Sequence, residues 1–166
     1  MKSSPILSQR DSYRSVGQVA IVASLWHQNI SQSLVDGALK ALERHQIPKG
    51  DVNFFWVPGA YELPQAVYAL AQTKKYIAII PLGCLIQGET SHFEFIAQTV
   101  FNSLSQIGKE TGVAVVNGVL TVDHLHQAQE RAGGILGNKG EEAALAALEL
   151  ASFLEEVRNG KSNARA

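Results

Sequence analysis

Short apolar runs alternate with segments of helical periodicity along most of this chain. Residues 19–23 (VAIVA) and 52–57 (VNFFWV) are rich in β-branched and aromatic side chains, which predicts two strands, the first buried on both faces. Between them, apolar residues recur over 30–42 at the spacing of an amphipathic helix. Residues 61–72 predict a second helix, and residues 76–82 predict a third strand that ends at a glycine.

The second half of the chain continues this alternation. Ser91 and Glu94 have the spacing of a capping box, which predicts that a helix begins there. Residues 113–120 predict a fourth strand, 123–131 a short helix, and 141–158 a long helix with an alanine-rich face. Strands that alternate with helices predict an α/β domain, a three-layer α/β/α sandwich around a four-stranded parallel sheet.

Composition and charge fit one globular domain and narrow its partners. The chain has 166 residues, 46% hydrophobic and 17% charged, with net charge -1, so neither nucleic acid nor an acidic membrane is an expected partner. No apolar run is long enough to span a membrane, and a single cysteine favours a reducing, cytoplasmic location. We expect an arm over 1–17 that is flexible or orders only against a neighbouring chain's sheet, one domain over 18–158, and a frayed tail over 159–166.

The segment 83–92 follows the third predicted strand and carries the most informative residues. Its glycine loop leads into a helix N-terminus, where free backbone N–H groups favour an anion such as phosphate. Glu89 and Thr90 lie where those amides are expected, although plain loop chemistry explains this pair about equally well. His92 lies in the first turn of the helix and can move protons near neutral pH, so it is the leading candidate for acid–base chemistry.

Other unusual residues follow the predicted strands, at the sheet edge where ligands bind in folds of this class. Trp26 either stacks on a heterocycle or only covers the edge of the core. Glu62 either accepts hydrogen bonds from a polyol or only favours a helix N-terminus. Asn117 lies within an apolar strand and costs stability unless it is paired, which favours a polar ligand or a neighbouring chain. Arg131 suits phosphate through its planar fork, although a surface charge is the commoner role.

Three further signals do not support a site. Cys84 has no base placed near it by the sequence, so we interpret it as a small buried residue rather than a nucleophile. His124 and His126 are two positions apart and do not share a helix face, so a metal site is not expected. Residues 137–140 (GNKG) lack the spacing of a phosphate-binding loop.

Five segments, in order, resemble the lumazine synthases, enzymes of the penultimate step of riboflavin biosynthesis. The segments are VAIVASLWH (19–27), WVPGAYELP (56–64), LGCLIQGETSHFEF (82–95), NGVLT (117–121) and QAQERAGGILGNKGEEAALAALE (127–149). The resemblance covers roughly residues 17–157 and implies a flavodoxin-like form of the predicted sandwich.

The resemblance implies a transferase that uses two small-molecule substrates. It would condense 5-amino-6-(D-ribitylamino)uracil with 3,4-dihydroxy-2-butanone 4-phosphate and release 6,7-dimethyl-8-ribityllumazine, phosphate and water. No metal or redox cofactor is implied. Two alternative functions from other classes stay open: a non-catalytic carrier of flavin or lumazine, and a shell protein whose role is to enclose a compartment.

The resemblance also implies roles for individual residues. His92 would transfer the proton, and Trp26 would stack on the pyrimidine ring. Glu89 and Thr90 would hold the butanone phosphate, with Arg131 as its cation. The complete set of implied substrate-binding residues is Trp26, Ala60, Tyr61, Glu62, Cys84, Leu85, Ile86, Glu89, Thr90, Asn117, Arg131 and Lys139.

Two positions depart from the family pattern. Gln87 stands where many members have arginine, so one charge near the loop is missing, yet phosphate binding is still expected because the helix end and Arg131 remain. Asn117 occupies the position that one subunit offers to its neighbour's site, where some members have phenylalanine. Stacking from the neighbour would then be weakened or replaced by hydrogen bonding.

The family assembles through contacts between identical subunits. Its members build homopentamers with sites between subunits, and some assemble twelve pentamers into an icosahedral 60-mer that can associate with riboflavin synthase. The segment GGILGNKG, without an insertion, resembles the shell-forming members, whereas the Trp26-His27 pair and NGVLT resemble some pentameric members. The sequence therefore predicts a pentamer and leaves the shell open.

Overall fold

A computed structural model describes residues 17–160 of the chain. The predictions of an arm over 1–17 and a tail over 159–166 fall almost entirely outside these described residues. The strands are β1 (Gln18–Ser24), β2 (Val52–Val57), β3 (Tyr76–Ile86), β4 (Ala114–Val115), β5 (Gly118–Val122), β6 (Ala132–Gly134) and β7 (Gly137–Asn138). The helices are α1 (Gln28–Arg44), α2 (Leu63–Gln72), α3 (His92–Thr111), α4 (Leu125–Arg131) and α5 (Lys139–Arg158).

The central sheet is parallel, and its strand order is that of a doubly wound α/β fold. The order is β2-β1-β3, and both β4 and β5 pair in parallel with the far edge of β3. Strands β6 and β7 form a separate antiparallel hairpin between α4 and α5. The predicted α/β sandwich with a parallel sheet is confirmed.

The fourth position of the sheet differs from its prediction. A single strand over 113–120 was expected, but β4 and β5 are separated at Val116 and Asn117. The Asn117 side chain is the physical reason, because its Oδ1 accepts a hydrogen bond from the Val119 amide at 3.0 Å and so turns the backbone locally. Asn117 therefore lies between two strands rather than inside one.

Two apolar layers cover the two faces of the sheet. On one face, Ile21 of β1 packs among side chains of α1 and α5, such as Leu34 and Leu148. On the other face, Val22 of β1 packs among side chains of α2 and α3, such as Leu63. Successive residues of β1 are thus both buried, as expected for a strand covered by helices on each side.

Helices α1 and α5 approach closely where α5 begins. A Cβ added to Gly140 would lie 2.6 Å from the Leu34 carbonyl carbon, so only glycine fits this crossing. Asn138 fixes the same junction, because its Oδ1 accepts from the amides of Gly140 and Glu141 while its Nδ2 donates to the Ser33 carbonyl at 2.8 Å. This cap begins α5 at Lys139, two residues before the predicted start.

Two local predictions around the third strand are wrong. Strand β3 continues through Ile86, because β5 provides hydrogen-bonding partners for 82–86, so Gly83 and Cys84 lie in a strand and not in a loop. The Ser91–Glu94 capping box is absent, since Ser91 has helical φ and ψ of -66° and -2° and makes no side-chain cap hydrogen bond. An N-cap side chain reaches the first-turn amides from an extended backbone instead.

Candidate active site

A cleft of about 390 Å³ opens at the carboxyl ends of β1 and β3. This is the edge at which doubly wound sheets bind ligands. Its walls are the turn after β1, the 3-10 turn before α2, the end of β3 and the first turn of α3. The lining residues are Trp26, His27, Gly59, Ala60, Tyr61, Glu62, Cys84, Leu85, Ile86, Gly88, Thr90, His92, Phe93 and Ile96.

The first wall is the three-residue turn that joins β1 to α1. Its backbone is held by the end of β2, because the amides of Leu25 and Trp26 donate to the carbonyls of Val57 and Pro58 at 2.8 and 3.1 Å. The indole of Trp26 is 70% exposed and forms one side of the cleft. A large aromatic face is thus presented to whatever enters the cleft, which suits stacking on a planar ring.

The second wall is the 3-10 turn Ala60–Glu62, which follows β2. Ala60 is buried, whereas Tyr61 is exposed at the mouth of the cleft. The carboxylate of Glu62 lies over the backbone of Gly59, where an added Cβ would lie 3.0 Å from its Oε2. Because Gly59 has no side chain, the Glu62 carboxylate has room beside the cleft, where both of its oxygens can accept hydrogen bonds.

The floor of the cleft is the end of β3. Cys84 is only 1% exposed there, and burial raises the pKa of its thiol to about 11. The thiol is therefore protonated at neutral pH, which agrees with the prediction that Cys84 is not a nucleophile. Leu85 and Ile86 continue the floor and give it an apolar surface.

The third wall is the loop before α3 together with the first turn of that helix. Within residues 17–160, the amides of Gly88, Glu89, Thr90, Ser91, His92 and Phe93 donate no hydrogen bond to the protein. Free amides at a helix N-terminus attract anions. Thr90 and His92 are exposed and line the cleft beside these amides, so an anion and a titratable imidazole would meet at this end.

Nine predicted site residues are brought together in the cleft and four are not. The nine are Trp26, Ala60, Tyr61, Glu62, Cys84, Leu85, Ile86, Thr90 and His92. Glu89 lies in the loop next to Thr90 but does not line the cleft. Asn117, Arg131 and Lys139 lie elsewhere, after β4, at the end of α4 and at the start of α5.

The two basic residues implied for the site, Lys139 and Arg131, differ in their ion pairs. Lys139 is paired with Glu142 at 3.2 Å, one helical turn further along α5. Arg131 is exposed, and no ion pair to it occurs among the described residues. The cleft itself is lined by no lysine or arginine of the described chain. An anion in the cleft would therefore have amides and imidazoles beside it, but no lysine or arginine from residues 17–160.

Five lining residues were not predicted as part of the site, namely His27, Gly59, Gly88, Phe93 and Ile96. Phe93 and Ile96 lie one and four positions after His92 on α3. Helical spacing places Ile96 on the same face as His92, and this spacing was a usable signal. His27 directly follows Trp26, but nothing in the sequence indicates that both side chains face one cleft.

Neither a metal centre nor a membrane span is found in the described part of the chain. Residues 17–160 contain no group of three or more His, Cys, Asp or Glu side chains that could hold a metal ion. No helix within the same range is long and apolar enough to cross a membrane.

The fold and the cleft define a class of protein, a doubly wound α/β protein with a cleft beside an imidazole at the strand ends, where folds of this class bind small molecules. A family model described as 6,7-dimethyl-8-ribityllumazine synthase matches residues 17–155. A 6,7-dimethyl-8-ribityllumazine synthase of Leuconostoc mesenteroides subsp. mesenteroides is 43% identical over 142 residues, which cover 86% of this chain and 91% of the relative. The chain belongs to the lumazine synthase family.

Proposed function

We propose that this protein condenses 5-amino-6-(D-ribitylamino)uracil with 3,4-dihydroxy-2-butanone 4-phosphate to form 6,7-dimethyl-8-ribityllumazine. The observation that carries the proposal is the cleft, which places an aromatic face at one wall and free helix amides beside His92 at another. A reaction between a planar heterocycle and a phosphorylated ketone needs both surfaces in one site. Family membership supports the same reaction.

The pyrimidine substrate binds between the first two walls in this proposal. The indole of Trp26 stacks on its ring, and the apolar floor at Leu85 and Ile86 lies beneath it. The ribityl chain has several hydroxyl groups, and the Glu62 carboxylate beside Gly59 accepts hydrogen bonds from them. Ala60 and Tyr61 complete this wall.

The phosphorylated ketone binds at the third wall. Its phosphate accepts hydrogen bonds from the loop amides and from the hydroxyl of Thr90, with Glu89 in the same loop. The 5-amino group of the uracil attacks the ketone, and loss of water gives an imine. His92 removes a proton next to that imine so that phosphate leaves, and ring closure releases a second water. Holding two polar reactants together contributes much of the rate, because it removes their relative translation and rotation.

The cation of the phosphate site comes from a second subunit in this proposal. No lysine or arginine of the described residues lines the cleft, although a bound phosphate is commonly held by such a side chain. Arg131 and Lys139 are the family-implied cations, and both lie away from the cleft of their own chain. Asn117, which the resemblance also implies as a site residue, likewise lies outside the cleft of its own chain. A ring of subunits, a homopentamer, would bring these residues to the neighbour's cleft.

Higher assembly and location are further parts of the proposal. The hairpin of β6 and β7 has a two-residue tip, and its segment GGILGNKG resembles the shell-forming members, so a 60-mer built from pentamers is the further assembly to test. Strand β2 is the open edge of the sheet, and an N-terminal arm from a neighbour would pair there. We expect a cytoplasmic location and, if the shell forms, association with riboflavin synthase. Light scattering of the full chain distinguishes pentamer from shell.

Replacing His92 tests the proposed mechanism. His92→Ala should lower kcat by roughly 100-fold or less, because one acid–base group contributes about 10²–10⁴ and substrate positioning would remain. His126→Ala is a matched control, since His126 is an exposed histidine outside the cleft. Complete loss of turnover in folded His92→Ala would contradict the weight given to positioning. Equal activity of His92→Ala and the wild type would remove His92 from the mechanism.

A further inference from the structure

His27 has a backbone conformation that few residues other than glycine adopt. Its φ and ψ are 57° and 46°, in the left-handed region, at the N-cap of α1. Its side chain makes no cap hydrogen bond, so helix capping does not explain why a histidine occupies this position. Residues held in such conformations persist when the surrounding structure imposes them, and they cluster at functional sites.

The chain on both sides of His27 imposes this conformation. Before it, the Trp26 amide is bound to the Pro58 carbonyl at 3.1 Å. After it, the His27 carbonyl accepts from the amides of Ile30 and Ser31 at 2.9 and 3.1 Å, which begins α1. Only three residues connect the end of β1 to that helix, so the direction of the chain must reverse sharply within them.

The imidazole of His27 lies against the indole of Trp26. The two ring centroids are 6.4 Å apart and the ring planes are nearly perpendicular, at 87°, which is a favourable edge-to-face arrangement. Because Trp26 is 70% exposed, little else in the described chain restrains its side-chain rotamer. Both rings line the cleft.

Buried hydroxyl groups support the turn from below. Ser24 and Ser31 are fully buried, and their Oγ atoms lie 3.4 Å apart. The Ser24 hydroxyl also lies 3.5 Å from the Trp26 carbonyl, a long contact. A Cβ on Gly83 would lie 2.7 Å from the Ser24 Oγ, so a glycine in β3 makes room for this pair. The backbone of Trp26 is thus held mainly through its amide, and its exposed side chain is in contact with the ring of His27.

We propose that His27 is a positioning residue for Trp26, a role that rests on the proposed function of the cleft. The left-handed turn places the imidazole beside the indole, and this perpendicular ring contact holds the indole in the orientation that stacks on the pyrimidine substrate. The proposal assigns proton transfer to His92 and not to His27. Its effect is to prearrange the stacking face, so that less rotamer freedom is lost when the substrate binds.

Two substitutions separate the ring of His27 from its backbone. His27→Gly removes the imidazole and suits the left-handed conformation, so its stability should equal or exceed that of the wild type. His27→Phe keeps an aromatic ring beside Trp26 and removes the imidazole. The proposal expects the KM for the ribitylaminouracil substrate to rise roughly two- to tenfold in His27→Gly, the range of an edge-to-face pair, with kcat nearly unchanged. His27→Phe should keep a KM near that of the wild type.

A double-mutant cycle shows whether His27 acts through Trp26. In a Trp26→Leu background, His27→Gly should have no further effect on the KM, because no indole remains to be positioned. An equal effect in both backgrounds overturns the proposal. So does an unchanged KM in folded His27→Gly. If His27→Phe fails to fold, His27→Gly and the cycle still decide.

A measurement without turnover keeps this proposal separate from the proposed function. In a Trp56→Phe variant, Trp26 is the only tryptophan of the chain. Time-resolved fluorescence anisotropy should show faster local motion of the Trp26 indole after His27→Gly. If the wild type forms no lumazine, the proposed function fails, and the anisotropy still tests the positioning. Unchanged anisotropy in the Gly variant overturns the positioning itself.

Discussion

The Cys84 thiol should react far more slowly in the folded protein than in the unfolded chain. Burial raises its pKa from 9.0 to about 11. At pH 8 this shift lowers the thiolate fraction by about 100-fold, and alkylation by iodoacetamide requires the thiolate. Because the side chain is only 1% exposed, steric exclusion slows the reaction further. Mass spectrometry during alkylation, with and without urea, measures both rates.

The same pKa has a consequence for stability. Between pH 9 and about 11 the unfolded chain loses the Cys84 proton while the folded chain keeps it. Unfolding then releases a proton, so the free energy of unfolding falls as pH rises through this window. Cys84→Ala should remove that fall. The variant should also lose less than about tenfold in kcat, whereas loss of a nucleophile in a protease triad costs roughly 10⁶-fold. Rapid alkylation of the folded protein, or loss of kcat on the scale of a nucleophile, would refute the assignment.

Three further predictions concern the junction of α5 and the phosphate site. Gly140→Ala should lower the free energy of unfolding by about 1–3 kcal/mol or more in urea titrations, because the Leu34 backbone lies against its Cα. Gly50→Ala is the control, since Gly50 has open space around it, and should change this free energy by less than about 0.5 kcal/mol. Asn138→Ala removes three hydrogen bonds and should cost about 2 kcal/mol in the same titration; a change near zero would mean that water replaces them. Arg131→Ala should raise the KM for the butanone phosphate and leave the KM for the pyrimidine unchanged, and equal effects on both would contradict its proposed role as the phosphate cation.

Local pattern was sufficient for most of the fold. The strand over 52–57 has the predicted bounds, and the doubly wound order follows from alternating strands and helices. The fourth strand could not be placed in detail, because its interruption depends on a side-chain hydrogen bond of Asn117 to a backbone amide. The extension of β3 to Ile86 depends on β5, a partner more than thirty residues away in sequence. Such long-range pairing leaves no local signal.

The same distinction applies to the cleft. Trp26, Glu62 and Thr90 were candidates from their positions at strand ends, and the family resemblance assigned them to the site; the doubly wound topology brings all such ends to one edge. Arg131 is different, because a single chain does not place it in the cleft. In the proposed assembly its side chain would act in the cleft of a second subunit, and no periodicity within the sequence contains that information.

The proposal that two subunits share each site can be tested by combining two chains that carry different substitutions. His92→Ala damages the cleft, whereas Arg131→Ala damages a position outside it. In mixed oligomers that are refolded together, some clefts would have an intact His92 and receive an intact Arg131 from the neighbour. Activity should then exceed the sum of the two separate variants. No gain in mixed oligomers would mean that each chain supplies its own cation.

The most direct measurement of the central claim follows both products of the condensation at once. The wild-type chain, given both substrates, should form one lumazine, detected by its absorbance, for each phosphate released. This one-to-one ratio should hold throughout the reaction, at a rate above that of the substrates alone. Binding of the pyrimidine without lumazine formation would contradict the account, and so would release of phosphate without lumazine.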